Sequence, residues 1–114
     1  MVIDKWGRVS TQKNRIEFIR CVDCKAEELD RQGYSVKADI GGWSKPPTIM
    51  GLVPDFRAKR GDKVIIGKMV REEELGRIEQ DYKKFIEYAT NDLDTSFRVY
   101  ITSEDIKPKL YKIY

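Results

Sequence analysis

The residues of this chain that can do chemistry lie in a segment that reads as a β-hairpin, from Gly51 to Val70. Pro54-Asp55 opens the first strand, and Lys68 comes near the end of the second. A hairpin suits metal-dependent phosphodiester cleavage when one strand supplies an Asp and the next supplies a Glu and, two residues on, a Lys. Residues two apart share a strand face, and Mg²⁺ prefers carboxylates and water as ligands. Asp55 therefore points to divalent-metal chemistry.

The rest of the sequence predicts the elements that position this hairpin. Apolar residues recur every three or four positions in two segments, which is typical of helices, and alternate in the segments between, which is typical of strands. The predicted helices cover residues 12–32 and 72–90, and the predicted strands cover 34–40, 52–59, Lys63–Val70 and the alternation of Phe97, Val99 and Ile101. Residues 1–10 read as a leader, and residues 103–114 as a short helix followed by a packed end.

The order of these elements, α-β-β-β-α-β, predicts an α/β fold of the α+β kind, with a central mixed sheet flanked by helices. The helix at 72–90 connects strands three and four, so these two strands should be parallel and their crossover right-handed. The run Val64-Ile65-Ile66 predicts that strand three is buried on both faces, near the sheet centre. A length of 114 residues fits a single domain, residues 1–114.

This order of elements, with Pro54-Asp55 opening the second strand, resembles the PD-(D/E)xK nuclease superfamily, especially its small archaeal Holliday-junction-resolvase-like members. The resemblance covers about residues 12–102. It implies a restriction-endonuclease-like core, DNA as the partner, Mg²⁺ or Mn²⁺ as the cofactor of an active site, and often a homodimer. It also implies an acidic residue from the first helix, for which Glu17 is the best match.

The chain departs from the family pattern on strand three. Lys68 occupies the position expected for the Glu, and Val70 the position expected for the Lys. An ammonium beside Asp55 forms an ion pair and repels a divalent cation. At ~4 Å and an effective dielectric constant near 20, one such charge contributes about 4 kcal/mol, and a divalent ion feels about twice that. The reversal predicts a structural salt bridge between Lys68 and Asp55 in a catalytically degenerate site that holds no metal.

A second interpretation keeps the enzyme active through a rearranged site. Asp39, near the end of strand one, can lie beside Asp55, and Lys59 shares the strand face of Asp55. The candidate catalytic residues are then Glu17, Asp39 and Asp55 together with Lys68 or Lys59. The sequence does not fix which of these carboxylates would hold the metal.

Basic residues, with one Trp, are concentrated around the same hairpin. Contacts from Lys and Arg to phosphates dominate non-specific nucleic-acid affinity, and an exposed Trp can stack on a base. The predicted nucleic-acid-binding residues are Trp43, Lys45, Arg57, Lys59, Arg60 and Lys63, with Lys68 and Arg71 in the same cluster. The alternative is a solvated hairpin edge, since Lys and Arg side chains are mostly exposed in any soluble protein.

The composition excludes several classes of protein. With 40% hydrophobic and 36% charged residues, the chain can fold as a soluble globule and is not disordered by composition. No apolar run approaches the ~20 residues of a membrane span, and the N-terminus lacks the layout of a signal peptide, which predicts a cytoplasmic protein. A net charge of +3 permits a polyanionic partner without demanding one. The high charge content hints at a thermophilic source.

The two cysteines, Cys21 and Cys24, form a lone CxxC inside the first predicted helix. Zinc needs about four ligands, and the chain has no His and no second CxxC. A redox pair normally opens a helix, where the dipole lowers the thiol pKa. We therefore interpret both cysteines as packing residues.

Three functions stay open at this point. The first is a nucleic-acid-binding protein on a nuclease-like scaffold that has lost catalysis. The second is an active metal-dependent DNA endonuclease or resolvase with a rearranged site. The third is a non-enzymatic protein that self-associates through strand four and a Tyr-rich tail formed by Tyr100, Tyr111 and Tyr114.

Overall fold

The structure, a computed structural model, describes the backbone of residues 8–114 and the side chains from Arg15 onward. Its elements in chain order are α1 (Arg8–Arg31), β1 (Ser35–Ala38), β2 (Phe56–Arg60), β3 (Lys63–Val70), a 3₁₀ helix (Glu72–Arg77), α2 (Ile78–Asp81), α3 (Lys83–Thr90), β4 (Thr95–Ile101) and β5 (Lys109–Ile113). No helix among the described residues is both long enough and apolar enough to cross a membrane.

The five strands form one mixed sheet in the order β1-β2-β3-β4-β5. Strands β3 and β4 are parallel, and every other neighbouring pair is antiparallel. The predicted α+β class with a central mixed sheet is confirmed, as is the parallel pairing across the helical crossover. Strand β3 lies in the middle of the sheet, as its β-branched run predicted.

Helix α1 packs on one face of the sheet, over β1, β2 and β3. Its residues Val22, Ala26 and Leu29 recur at helical spacing and are buried in the core on this face. The helix ends at Arg31, and Gly33, with a φ of +92°, closes a Schellman turn after it. The Gly33 N–H donates to the Asp30 carbonyl (3.1 Å), and the next N–H donates to the Leu29 carbonyl (3.1 Å). The predicted glycine stop is confirmed.

Helices α2 and α3 cover the other face, where α3 packs on β4. The core on this face contains Ile78 and Phe85 from the helices, and Ile66 and Val70 from β3. Because Ile65 and Met69 of β3 point to the α1 core and Ile66 and Val70 to this one, the central strand is buried on both faces, as predicted.

Three predictions about the elements were wrong. The expected continuous helix at 72–90 begins as a 3₁₀ helix and is interrupted at Tyr82. The Glu74 N–H donates to the Arg71 carbonyl (2.9 Å) while its carboxylate accepts from the Arg71 N–H (2.7 Å), which closes a tight three-residue turn. The tail forms strand β5 instead of a helix. The leader was predicted to reach residue 10, whereas α1 begins at Arg8; residues 1–7 lie outside the described residues.

The first two strands are shorter than predicted, because the connection between them has its own structure. Met50 and Gly51 have positive φ angles of +53° and +87°, and Ile49 and Leu52 exchange two backbone hydrogen bonds across them. This tight turn removes Leu52 from β2. Pro54 has no N–H to give to a strand ladder, so β2 begins only at Phe56.

Candidate functional site

Asp55 and Lys68 lie side by side at one end of the sheet. The β2–β3 register pairs Phe56 with Gly67, so the preceding and following residues come opposite each other. The Asp55 N–H donates to the Gly67 carbonyl (2.9 Å). A Cβ on Gly67 would lie 2.0 Å from the Phe56 ring, so the glycine lets this ring lie directly on β3. The ring therefore fixes the backbone from which Asp55 projects.

Both oxygens of the Asp55 carboxylate are engaged. Oδ1 lies 3.2 Å from the Lys68 ammonium, and Oδ2 accepts a 2.7 Å hydrogen bond from the Met69 N–H. The Asp55 side chain is 7% exposed and that of Lys68 is 23% exposed. Burial raises the pKa of Asp55 above its ordinary value, although the Lys68 charge and the Met69 hydrogen bond oppose the rise. The predicted ion pair is present, and it occupies the carboxylate that a metal would need.

The residues of the rearranged site do not converge on Asp55 as metal ligands. The Asp39 N–H donates to the Asp55 carbonyl (2.9 Å), and the exposed Asp39 carboxylate is near enough for its charge to raise the pKa of Asp55, so of the three candidate carboxylates these two come together. Glu17 lies near Cys21 on α1, where its charge helps to raise the pKa of that thiol after the larger effect of burial. Lys59 is four residues along β2 from Asp55, about 13 Å away at ~3.3 Å per residue. Within the described part of the chain, no three His, Cys, Asp or Glu side chains are grouped to hold a metal ion.

Position 70 has a structural role. Val70 is 1% exposed and packs in the core beneath α2 and α3. A lysine ammonium there would be enclosed by apolar side chains, which is costly for an unpaired charge. The position that the family pattern assigns to a catalytic Lys is thus part of the core.

An open pocket of about 440 Å³ adjoins the Asp55–Lys68 pair, at the carboxyl ends of the parallel strands β3 and β4. Ligands of open α/β sheets commonly bind in such a crevice outside the strand ends. Its lining comes from four segments of the chain and consists of Arg15, Phe18, Lys68, Met69, Val70, Arg71, Glu74, Tyr82 and Thr102. We call this the strand-end pocket.

The lining of the strand-end pocket is predominantly cationic. Arg15, Lys68 and Arg71 face a single acidic lining residue, Glu74. The Arg71 guanidinium lies 3.8 Å from the Glu74 carboxylate and its side chain is 48% exposed. Burial raises the pKa of Tyr82 to about 12, with nearby carboxylates adding to the rise, so this phenol is protonated and can donate a hydrogen bond at neutral pH. The lining therefore offers Arg, Lys and Tyr donors to an anion, although Lys68 and Arg71 each have a carboxylate partner in the fold.

The predicted nucleic-acid-binding residues do not form one cluster. Lys45 is exposed at the Asp55 end, in the connection whose Ser44 carbonyl accepts from the Ala38 N–H (2.9 Å). Arg60 and Lys63 lie at the opposite end, flanking the β2–β3 turn. Lys68 is five residues along β3 from Lys63, about 17 Å away at ~3.3 Å per residue. Residues that are close in the sequence of a hairpin can therefore lie at opposite ends of its strands.

Three of these residues already have partners in the fold. The Arg60 guanidinium donates to the Gln32 carbonyl (2.8 Å) and lies 4.5 Å from the centre of the Tyr34 ring. The Lys63 ammonium pairs with Asp94 at 3.4 Å. Trp43 was expected to be free to stack on a base; instead it is half-buried against the α1 core and its Nε1–H donates to Asp23 (2.8 Å).

Lys45, Arg57 and Lys59 remain as candidates, and the structure adds Lys37. Because Val36, Ala38, Phe56 and Ala58 point to the α1 core, their neighbours Lys37, Arg57 and Lys59 lie on the opposite face of β1 and β2. Register pairs Lys37 with Arg57. We call these three residues the basic sheet face. The strand alternation of residues 34–40 already places Lys37 away from the core, and this is the sequence signal that could have found it.

The cysteines are free thiols. Cys21 is buried in the α1 core and its thiol donates to the Ser103 carbonyl at 3.6 Å. Cys24 is half-buried on the same helix. Cys21 is thus a packing residue of the core, as predicted.

Comparison of the chain with protein-family models, with curated proteins and with solved structures gives no match.

Proposed function

We propose that this protein binds nucleic acid through its phosphates, without cleaving it, on a scaffold that resembles the PD-(D/E)xK nucleases. The observation that carries the proposal is the strand-end pocket, where Arg15, Lys68 and Arg71 line the site at which such a nuclease would hold its metal. Lys68 neutralises the Asp55 carboxylate that a metal would need, and Arg15 and Arg71 add positive charge at the same site. The basic sheet face provides further positive charge on the β1–β2 part of the sheet.

The contact chemistry predicts the salt dependence of binding. Each phosphate neutralised by a Lys or Arg releases condensed counterions, so affinity falls steeply as salt is raised. The proposal does not include base-specific readout, because the ammonium group of Lys and the planar guanidinium group of Arg are suited to phosphate oxygens.

A fluorescence titration with single-stranded, duplex and four-way-junction DNA, at about 50 and about 200 mM salt, tests the proposal. The double variant R57Q/K59Q should bind more weakly, and its slope of log affinity against log salt should fall by about one for each phosphate that it no longer binds. The matched control R60Q/K63Q, at the opposite end of the same hairpin, should bind like the parent. Absence of binding to every form at low salt would refute the proposal.

The absence of cleavage is tested separately. Incubation of the same DNA forms with Mg²⁺ or Mn²⁺ should leave them intact. Cleavage that disappears in Asp55→Ala would establish the alternative, an active nuclease with a rearranged site, whereas cleavage that survives this change would indicate a contaminating enzyme.

Self-association is a second candidate function, and strand β5 favours it. All five β5 residues are exposed at this edge of the sheet, and Leu110, Tyr111 and Ile113 are each about half exposed. An exposed edge strand is a template for pairing with another chain, although β5 is only five residues long and carries Lys109 and Lys112. Three tyrosines were predicted to mediate association. Tyr100 is buried, and Tyr114 is half-buried and donates a hydrogen bond to the Glu79 carboxylate. Tyr111 is the exposed one. Sedimentation of the parent and of Leu110→Asp decides whether a dimer forms through this edge.

A further inference from the structure

We infer that the strand-end pocket takes the phosphate monoester at the end of a nucleic-acid strand, held by Arg15, Lys68 and Arg71, with hydroxyl donors from Tyr82 and Thr102. This inference rests on the proposed nucleic-acid-binding function and names the group that the pocket recognises. Internal phosphodiesters are assigned to the basic sheet face.

The charge of the pocket favours a monoester over a diester. Three cationic side chains and one carboxylate line a single cavity. Because Lys68 is paired with Asp55 and Arg71 with Glu73 and Glu74, the cations act on a ligand once they turn toward it. A phosphate monoester carries about −1.5 to −2 charges at pH 7, because its second pKa is near 6, whereas a diester carries one. A concentrated group of cations discriminates between the two, since each added charge interacts with all of them.

The cations of the pocket can turn toward a ligand. The ion pairs of Arg71 with Glu73 and Glu74 are long, 3.5 and 3.8 Å, and their side chains are half exposed. Exposed pairs of this kind contribute about 0–1 kcal/mol, so a phosphate can replace them at small cost. Lys68 uses one N–H for Asp55 and has two more donors.

The size of the pocket favours a strand end over a strand that passes through. Met69, Val70 and Thr102 form its floor, and the Thr102 N–H donates to the Val70 carbonyl (2.9 Å), which ties the two strand ends together. Arg15 and Phe18 of α1 form one wall and Tyr82 the other. A volume of about 440 Å³ is that of a small-molecule site, so a terminal nucleotide fits along with its phosphate. Aromatic side chains on both walls can contact its base or sugar.

The test compares oligonucleotides of one sequence that carry a 5′-phosphate, a 3′-phosphate or only hydroxyl ends. We expect about tenfold tighter binding of one phosphorylated form, and the two phosphorylated arms identify which end is recognised. Arg71→Gln and Arg15→Gln should abolish this preference while leaving weaker binding to the hydroxyl-ended strand. Glu74→Gln should increase it, because the amide still accepts from the Arg71 N–H while the one carboxylate of the lining is removed.

Lys63→Gln, at the far end of β3, is the matched control and should keep the preference. Circular dichroism of each variant checks that it folds, and the exposed positions of Arg15 and Arg71 favour this. Equal binding of phosphorylated and hydroxyl-ended strands would overturn the inference and leave the proposed function standing. A preference for the phosphorylated strand that persists in Arg71→Gln and in Arg15→Gln would also overturn the inference and leave the proposed function standing. Binding of no nucleic acid at all would overturn both.

Discussion

Two Lys–Asp pairs lie at opposite ends of the central strand, and they differ in burial more than in distance. Lys68 and Asp55 are 3.2 Å apart with side chains 23% and 7% exposed. Lys63 and Asp94 are 3.4 Å apart with side chains 70% and 50% exposed. The same two residue types at nearly the same distance thus form an enclosed pair at one end and a solvated pair at the other.

The two ends of the sheet differ in what their ion pairs can do. A buried pair contributes little net stability compared with apolar residues, but removal of one partner leaves an uncompensated charge. A solvated pair is screened and exchanges freely with water and ions. The enclosed pair therefore fixes the charge state of the strand-end pocket, whereas the solvated pair has no such influence on its surroundings.

Replacement of the lysine should change the free energy of unfolding far more at the enclosed pair than at the solvated pair. Lys68→Met keeps the apolar stem but leaves the buried Asp55 carboxylate without its partner, so it should lower the free energy of unfolding by about 3–5 kcal/mol at neutral pH. Lys63→Met is the matched control and should change it by less than about 1 kcal/mol. Urea denaturation of both variants gives the comparison. The pair D55N/K68M should recover much of the loss, since no charge is then left buried; equal losses in the two Lys variants would contradict our account of the buried end.

The loss in Lys68→Met should depend on pH. The pKa of Asp55 is raised above its ordinary value of 3.8 in the folded protein, so the folded chain holds this proton more tightly than the unfolded chain. Stability from this group therefore rises as pH falls through the raised pKa toward 3.8. Removal of the Lys68 charge, which lowers the pKa, should raise it further, and the defect should shrink when denaturation is repeated at about pH 5. A defect in D55N/K68M should show no such relief.

The contrast also shows which parts of the fold the sequence predicts. The bounds of β3 were predicted correctly because its β-branched run is buried on both faces and is preceded by a tight turn. Strand β5 was missed because all of its residues are exposed, so no polar–apolar alternation marks it. The interruption at Tyr82 was missed because the apolar stripe of residues 72–90 continues across it. The 3₁₀ helix at the start of this segment was missed because only the Arg71–Glu74 hydrogen bonds select the tighter first turn.

For the site, local pairing was predictable and the pocket was not. The two-residue turn at Gly61-Asp62 pairs Arg60 with Lys63, and continuation of this register brings Asp55 opposite Lys68. The pocket joins Arg15 and Thr102 from opposite ends of the chain with strand β3, and only the tertiary packing of α1 and β4 brings these together. The basic cluster was predicted as one patch because sequence proximity does not show that Lys63 and Lys68 lie at opposite ends of a strand.

Glycine substitutions extend the comparison to the backbone at each end. Gly67→Ala should lower the free energy of unfolding by about 3 kcal/mol, the upper part of the range for overpacking, because its Cβ would lie 2.0 Å from the Phe56 ring. Gly61→Ala, in the open turn with φ of +60° and no atom within 4 Å of the added Cβ, should cost only about 1 kcal/mol through backbone strain. Thermal or urea unfolding of the two variants measures the difference, and a larger effect at Gly61 would argue against the close Phe56 contact.

Reversal of the charge at the enclosed end should change the ion that it prefers. Lys68→Glu brings a second carboxylate next to Asp55, so Mn²⁺ should bind and stabilise this variant by about 1.4 kcal/mol at a free concentration ten times its Kd. The companion change Val70→Lys, which would complete the family pattern, is expected to destabilise the fold, because Val70 is buried in the core. Calorimetry with Mn²⁺ on Lys68→Glu and on the parent is the measurement. Uptake by the parent, or none by the variant, would show that the Lys68 charge does not control the site.

The smallest expected effect concerns the solvated pair. Because Lys63 and Asp94 are mostly exposed, a double-mutant cycle with Lys63→Met and Asp94→Asn should give a coupling of about 0.2–1 kcal/mol, and added salt should reduce it. The cycle through Asp55 and Lys68 should give a larger coupling that salt changes little, since water and ions do not reach the buried carboxylate. Asn is chosen at position 94 because it keeps the size of the Asp side chain while removing its charge. The Asp94 N–H, which donates to the Asp92 carboxylate at 3.0 Å, is not changed by this substitution. Equal salt dependence in the two cycles would mean that salt screens the Asp55–Lys68 pair as freely as the solvated pair, which would contradict the description of that pair as enclosed.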